Sequence, residues 1–228
     1  MRSAPRPSAL GLVALVAAVV GVGASAACID EVPPLAPRAG PTARFRLSTD
    51  GSVPGVLDVP FPSDVYLVGG RWTNPLPGLP RVVKSGASYA SAAISKTNGF
   101  SRIAMSTFYL DDPAAPRTDD DEPGTAELDP ASLPATEEDC RGDRSSVYLV
   151  DLEEPDPQKA RIACRGAFHD DRVTSQTRPV LGVGPARGVV LAEGRRYAAV
   201  LTSRLKDKRG RALGKTADFD AAAAGDAP

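Results

Sequence analysis

The clearest pattern of hydrophobic and polar positions lies in residues 191–213. Residues 197–202 are apolar on both alternating faces, which is typical of a central strand covered on two sides. A charged turn that ends at Gly210 follows, and a short apolar segment then returns to Leu213. The pattern therefore predicts a β-hairpin whose first strand is residues 197–202.

The approach to this strand has a characteristic spacing. Leu191, Gly194 and Tyr197 follow each other as Leu-x-x-Gly-x-x-Tyr. This spacing resembles the corner of immunoglobulin-like sandwiches, in which a Tyr near the start of a late strand bonds to upstream backbone. We therefore predict structural roles for Tyr197 and Gly194, and for Asp207 and Gly210 in the turn that follows. The alternative is a generic strand with a chance Tyr.

Other stretches of the chain also favour β structure. Residues 104–110, 146–152 and 160–168 are rich in β-branched, aromatic and apolar residues. The 22 prolines and 21 glycines argue for many turns and against long helices. The best helix candidate is the Ala- and Ser-rich run 88–96. The sequence predicts a mostly β fold over residues 59–215, an Ig-like antiparallel β-sandwich with a short helix, long loops and an N-terminal appendage.

The first residues have the composition of an export signal. Arg2 and Arg6 precede an uncharged apolar run, and small residues lead into Cys28. Residues 1–27 are therefore predicted to be a signal peptide. A membrane-spanning helix is the alternative, but the apolar run is short and rich in Gly and Ala. Cleavage after Ala26 would give a soluble protein.

The segment Ser-Ala-Ala-Cys that ends at Cys28 resembles a bacterial lipobox, although Ser25 stands where Leu is usual. The resemblance implies cleavage before Cys28, a lipid on its sulfur and a membrane partner through that anchor. Ile29 follows, which resembles an outer-membrane sorting address. The expected localisation is therefore an outer-membrane or cell-surface lipoprotein, or else a periplasmic or secreted protein.

The chain has three cysteines, an odd number for an oxidising compartment. Cys140 and Cys164 flank a predicted pair of strands, so we predict a disulfide between them. Cys28 is then left over, and a lipid on Cys28 explains why it has no partner.

The two ends of the predicted domain differ in composition from its centre. Residues 28–58 are predicted to form an extended Pro-rich tether. Residues 216–228 fade into an Ala-rich run and are predicted to be a disordered tail.

The polar stretches give little evidence of catalysis, and we predict no catalytic residue, metal or cofactor. His169 is the only histidine, and it lies beside carboxylates without a nearby nucleophile. Ser88 lies in a Gly-x-Ser-x-Ala sequence that lacks the second Gly of a nucleophile elbow. The acidic residues 119–122 could hold calcium, but their spacing fits no EF-hand and favours a solvated insertion.

Two further features, the basic residues and an Arg-Gly-Asp tripeptide, do not lead us to predict a binding partner. The net charge of −1 gives no general attraction for nucleic acid, and the basic residues 206–211 lie at one turn without aromatic neighbours. We therefore predict no nucleic-acid partner. Residues 141–143 spell Arg-Gly-Asp, an integrin-binding tripeptide that recurs by chance, and we interpret it as a turn.

Three motifs in order, residues 61–64, 98–101 and 128–133, resemble the N-terminal region of bacterial extracellular lipases of the virulence-factor type. The later part of the chain is similar to bacterial Ig-like domains of the S-layer-protein type. In the lipase family an Ig-like domain precedes an α/β-hydrolase domain, and no catalytic residue of that family maps onto this chain. The expected function is an exported, lipid-anchored envelope protein whose Ig-like domain is a non-catalytic spacer or binding module, with an unknown protein or cell-wall ligand. The alternative is the accessory domain of an exported esterase or lipase whose hydrolase domain is missing from this chain.

Overall fold

A computed structural model of the chain describes residues 40–55, 57–69, 71–72, 99–116, 124–170 and 179–225. This part is mostly β, with antiparallel sheets and two short helices, as the sequence predicts. The strands are Thr42–Ala43 (β1), Leu67–Val68 (β2), Arg71–Trp72 (β3), Ser106–Asp112 (β4), Gly124–Thr125 (β5), Val147–Asp151 (β6), Arg161–Ile162 (β7), Cys164–His169 (β8), Val180–Pro185 (β9) and Tyr197–Leu201 (β10). The helices are Pro157–Ala160 (α1) and Ala217–Ala224 (α2). Short 3-10 turns cover Asp64–Tyr66, Pro130–Ser132 and Glu138–Arg141.

The largest sheet has five strands in the order β1-β4-β9-β8, with β5 paired to β4. Its three long strands are antiparallel, and their register places Phe108 and Phe168 on either side of Leu181. Gly182 and Gly184 lie in β9, where an added Cβ would come within 2.9 and 2.8 Å of Met105 atoms. Glycine at these two positions therefore allows Met105 to lie against the sheet.

The second sheet has the order β10-β6-β7, again antiparallel. Tyr197 pairs with Asp151 and Leu201 pairs with Val147. Within the described part of the chain β10 is thus an edge strand, and Val200 is 38% exposed. The prediction of a central strand is wrong, because β10 pairs only with β6 among the described strands.

The predicted hairpin between residues 197–202 and the segment ending at Leu213 is not present in the structure. β10 pairs with β6, and the chain then turns before a separate tight loop begins at Leu205. In this loop the Leu213 N–H donates to the Leu205 carbonyl (2.9 Å) and the Asp207 N–H donates to the Arg211 carbonyl (3.0 Å). The returning segment therefore pairs with residues after β10 rather than with β10 itself.

One hydrophobic core joins the two sheets. It takes side chains from β4 and β9 on one side and from β6 on the other, and the tight loop after β10 also contributes. Burial of each Leu or Val side chain stabilises the fold by roughly 1.5–3 kcal/mol. The larger members are Phe108, Leu110, Leu128, Val147, Leu149, Leu181, Val183, Leu205 and Leu213.

The predicted tether overlaps the folded domain. β1 pairs with β4, and the Arg44 side chain is 4% exposed. Its guanidinium donates to both carboxylate oxygens of Asp111, at 2.7 Å from Nη2 and 2.9 Å from Nε. This buried bidentate pair holds residues that the Pro-rich composition assigns to a tether, because a long-range ion pair leaves no mark on local composition.

The predicted disordered tail also differs from the structure, which has helix α2 there. The Thr216 hydroxyl accepts from the Phe219 N–H, and Gly225 ends the helix with φ of +83°. The Asp218 carboxylate accepts the Leu47 N–H at 2.9 Å. The Phe219 ring packs edge-on against Phe45, with ring centroids 5.6 Å apart. These contacts fix the segment against the start of the domain.

Several predictions concern residues outside the described ranges. These are the signal peptide with Cys28, the helix candidate 88–96 with Ser88, and the acidic residues 119–122. Within the described ranges, no helix is long and apolar enough to cross a membrane.

Candidate functional site: a groove beside the disulfide

Cys140 and Cys164 form a disulfide, as the sequence predicts. Cys140 lies in the 3-10 turn Glu138–Arg141, and Cys164 is the first residue of β8. Both residues are fully buried. The Cys164 N–H also donates to the Glu137 carbonyl at 3.0 Å. The bond therefore fixes the 3-10 turn onto the edge of the larger sheet.

A groove of about 660 Å³ lies beside this turn. Its walls are residues 131–135, residues 138–139 and 142–146, and Arg204. Asp129 shapes the first wall by accepting the Ala131 N–H at 3.0 Å, which caps the turn Pro130–Ser132. Arg204, which is distant in sequence, thus meets residues 131–146 around one open cavity.

The carboxylates in the groove wall already have partners. Asp143 pairs with the Arg161 guanidinium. Glu138 receives Nη1 of Arg141 at 3.4 Å, and Asp139 accepts the Thr136 N–H at 2.8 Å. Their negative charge is therefore partly compensated within the protein.

The arginines in the groove wall are different. Arg144 and Arg204 are exposed, and neither guanidinium has an ion-pair partner among the residues that the structure describes. The Arg204 N–H donates to the Thr202 hydroxyl at 3.2 Å. Thr202 in turn donates to the Ser146 carbonyl, at 2.9 Å from N and 3.1 Å from Oγ1. These bonds place the backbone of Arg204 next to the start of β6.

Ser146 is the unusual residue of the groove wall. It is 5% exposed, and its hydroxyl has no hydrogen-bond partner. Most buried polar side-chain atoms in proteins are hydrogen-bonded, so an unpartnered one requires an explanation. Its neighbour Ser145 is also buried, but that hydroxyl donates to the Val147 carbonyl at 2.6 Å. The oxygen is shielded from solvent, so this unpartnered hydroxyl lies within the protein and not at the surface of the groove.

The Tyr197 corner has the predicted backbone bond. The Ala192 N–H donates to Tyr197 Oη at 2.9 Å, and the ring packs against the main core. Gly194 between them has φ of +70°, a region that side chains disfavour. Ala192 is exposed. The corner is therefore half-buried and less enclosed than the motif predicts.

Asp207 and Gly210 shape the tight loop after β10. Asp207 is 3% exposed, and its Oδ1 accepts the N–H groups of Arg209 (3.0 Å) and Arg211 (2.8 Å). The Arg211 side chain bridges Asp207 and Asp112. Burial raises the pKa of Asp112, but the hydrogen bonds from Arg211 and the Ala114 N–H outweigh it and hold this pKa below 3.8. Gly210 has φ of +78°. The contacts of both predicted residues are structural.

The other residues singled out by the sequence do not join one site. His169 ends β8 in an exposed position. The tripeptide 141–143 forms the end of a 3-10 turn at the groove, and its Asp143 is paired with Arg161. In the described ranges no three His, Cys, Asp or Glu side chains cluster in a way that could hold a metal ion.

No family model, curated protein or solved structure matches this chain. The groove residues Arg144, Ser146 and Arg204 are not predicted by the sequence. These residues belong to no sequence motif, and they come together only in the folded domain. The local sequence feature that points to this region is Cys140, because its predicted disulfide fixes the adjoining turn in place.

Proposed function

We propose that this chain is an exported cell-envelope protein, lipid-anchored at Cys28, whose Ig-like β domain serves as a non-catalytic binding or spacer module. The buried Cys140–Cys164 disulfide carries this proposal. Structural disulfides persist in oxidising compartments outside the cytosol and are rare within it. The third cysteine then belongs to the lipobox-like segment at the N-terminus.

The Ig-like assignment is supported by two features. Two antiparallel sheets share one core, and the Tyr197 hydroxyl bonds to upstream backbone at the start of a late strand. The groove beside the disulfide favours binding over a purely spacing role, since the exposed Arg144 and Arg204 in its wall have no ion-pair partner among the described residues.

Fractionation of cells that produce the full chain tests the export and the anchor. We expect wild-type protein in the membrane fraction, with a metabolically incorporated fatty acid, and Cys28→Ser in the soluble fraction without that label. Ser25→Leu matches the usual lipobox more closely and should stay in the membrane fraction. A wild-type protein that is soluble and begins at Ala27 would contradict the anchor.

The second candidate function is the accessory domain of an exported esterase or lipase. Two of the motifs that resemble the lipase family form ordered caps here: Ser63 accepts the Val65 N–H, and Asp129 caps the turn Pro130–Ser132. These roles are structural and are compatible with either function. A Gly-x-Ser-x-Gly elbow encoded downstream would favour the accessory role.

An esterase assay tests the non-catalytic part of the proposal. Acyl transfer requires a nucleophile with a base in hydrogen-bond reach, and the only imidazole of the chain is that of His169. Residues 28–228 should hydrolyse short-chain p-nitrophenyl esters no faster than a heat-inactivated sample. Turnover that is abolished by His169→Ala or Ser88→Ala would overturn the proposal.

A further inference from the structure

The outer edge of strand β10 has backbone groups that the domain leaves unpaired. β10 pairs with β6 on one side, and no other described strand pairs with it. We infer that this edge pairs with β10 of a second copy of this chain, in antiparallel register about Ala199. The inference goes beyond the proposed function and does not depend on the anchor at Cys28.

The pairing of β10 with β6 determines which backbone groups face outward. The Thr202 N–H donates to the Ser146 carbonyl at 2.9 Å, and the Leu152 N–H donates to the Arg196 carbonyl at 3.0 Å. Hydrogen-bonded and non-hydrogen-bonded pairs alternate along an antiparallel ladder, so every second residue of β10 directs its N–H and C=O away from β6. None of these outward groups has a partner among the residues that the structure describes. The residues that carry them are Tyr197, Ala199 and Leu201.

The strand lacks the features by which proteins prevent pairing at a free edge. Such edges usually carry a Lys, a Pro, a bulge or an inward-pointing charge. β10 reads Tyr-Ala-Ala-Val-Leu, and its pairing with β6 runs residue by residue without a bulge. Val200 is 38% exposed, and Ala198 lies on the same face of the strand. A second strand can therefore approach β10 without burying a charged side chain of that strand.

The outward groups of β10 are complementary to themselves about a two-fold axis. An antiparallel copy centred on Ala199 places Tyr197 opposite Leu201 of the second copy, and Ala199 opposite Ala199 of the second copy. Both members of each such pair have outward N–H and C=O groups, so each pair can exchange both backbone hydrogen bonds. A two-fold contact of this kind uses the same surface on both chains, as most protein dimers do.

The ends of the strand favour the same register. With the axis at Ala198 or Val200, one end residue of β10 faces a residue outside the strand, so fewer pairs can form. The axis at Val200 also brings Arg196 opposite Arg204 of the second copy, and like charges directly opposite each other destabilise a sheet. With the axis at Ala199 the two arginines do not meet. This register therefore combines full pairing of the strand with compatible charges at its ends.

Sedimentation equilibrium of the mature chain carrying Cys28→Ser measures self-association. We expect a monomer–dimer equilibrium between about 1 μM and 1 mM, weak because an edge of 5 residues buries less area than a standard interface. Val200→Lys should raise the dissociation constant at least about tenfold, since a Lys at a strand edge opposes pairing. Val190→Lys changes an exposed valine outside β10 and should alter the constant less than about twofold.

Cysteine cross-linking tests the register. About the axis at Ala199, Ala198 faces Val200 of the second copy as a non-hydrogen-bonded pair, with Cα atoms about 4.5 Å apart, which a disulfide can bridge. A mixture of Ala198→Cys and Val200→Cys chains should therefore form mixed disulfide dimers under mild oxidation, faster than either variant alone. Intact-mass analysis identifies which chains are joined, because the two variants differ in mass.

Three results would overturn the inference. They are a chain that stays monomeric at about 1 mM, equal weakening of the dimer in Val190→Lys and Val200→Lys, and cross-links that form as readily within each single-cysteine variant as in the mixture. A monomeric chain would leave the edge of β10 for a different partner. The export and the anchor are measured separately by fractionation of the full chain, so this inference can fail while the proposed function stands.

Discussion

Removal of the Cys140–Cys164 disulfide should lower the stability of the domain by an amount that depends on the number of residues between the two cysteines. The two cysteines are 24 residues apart. For a loop of this length the chain-entropy relation gives about 12 cal/mol/K, or about 3.5 kcal/mol at 25 °C. The double variant Cys140→Ala/Cys164→Ala should therefore be less stable than the oxidised protein by about this amount.

Thermal and urea unfolding measure the effect. A free-energy change of about 3.5 kcal/mol in a chain of this size lowers the melting temperature by about 7–14 °C. The urea midpoint should fall as well. The oxidised wild-type protein should lose a similar amount of stability when dithiothreitol is added during unfolding, because both sulfurs are buried until the domain opens.

The double variant is its own control for the reductant, since its stability should not respond to dithiothreitol. Intact-mass analysis of periplasmic protein, with and without reduction, establishes that the bond forms. Two free thiols in that material would contradict the disulfide. A double variant within about 1 kcal/mol of the oxidised protein would refute the entropic reasoning.

The remaining predictions concern the Tyr197 corner and the ion pair of Asp112. Tyr197→Phe should reduce stability by about 0.5–1 kcal/mol, because the exposed Ala192 N–H can bond to water instead; a loss above about 2 kcal/mol in urea unfolding would show an enclosed corner. The folded pKa of Asp112 lies below 3.8, so its contribution is complete above that pH and is lost as the pH falls through the folded value. Asp112→Asn should therefore flatten the fall in stability as the pH is lowered below about 4, and an unchanged pH profile would show that the Asp112–Arg211 pair is not its cause.

The features that could be predicted from the sequence are those that follow from a short sequence motif or from a count of residues. The disulfide follows from having two cysteines left after one is assigned to the N-terminus. The Tyr197 bond follows from a spacing of a few residues, which the backbone can bridge without knowledge of the rest of the fold. The β-rich composition likewise predicts the strands around Val147 and Cys164.

The sequence of helix α2 contains residues that favour a helix at both of its ends. Thr216 is a favoured N-cap residue, and Gly225 is a favoured residue just beyond a helix end. The run between them is rich in Ala, the best helix former. The Ala-rich run predicts a disordered tail only if it has no capping residue, and the structure shows that two caps and the contact with Phe45 fix it.

Other features depend on pairs that are far apart in the chain. Arg44 and Asp111 are separated by 67 residues, so no periodicity could indicate that they bond. The edge position of β10 likewise depends on pairing with a distant part of the chain, strand β6. An apolar edge strand can have the same sequence pattern as a central strand, and only the pairing with β6 on one side distinguishes them.

The groove beside the disulfide could not be predicted either, because its wall depends on contacts between residues that are far apart in the chain. Residues 138–146 hold three acidic and two basic side chains, so the local sequence does not single them out as a binding surface. The fold pairs Asp143 with Arg161 and brings Arg204 from beyond β10 to the same wall. The unpartnered hydroxyl of Ser146 is likewise defined by its surroundings rather than by its residue type. The side chains that stay available at this groove are therefore set by the contacts that the fold makes between distant residues, which no local pattern in the sequence indicates.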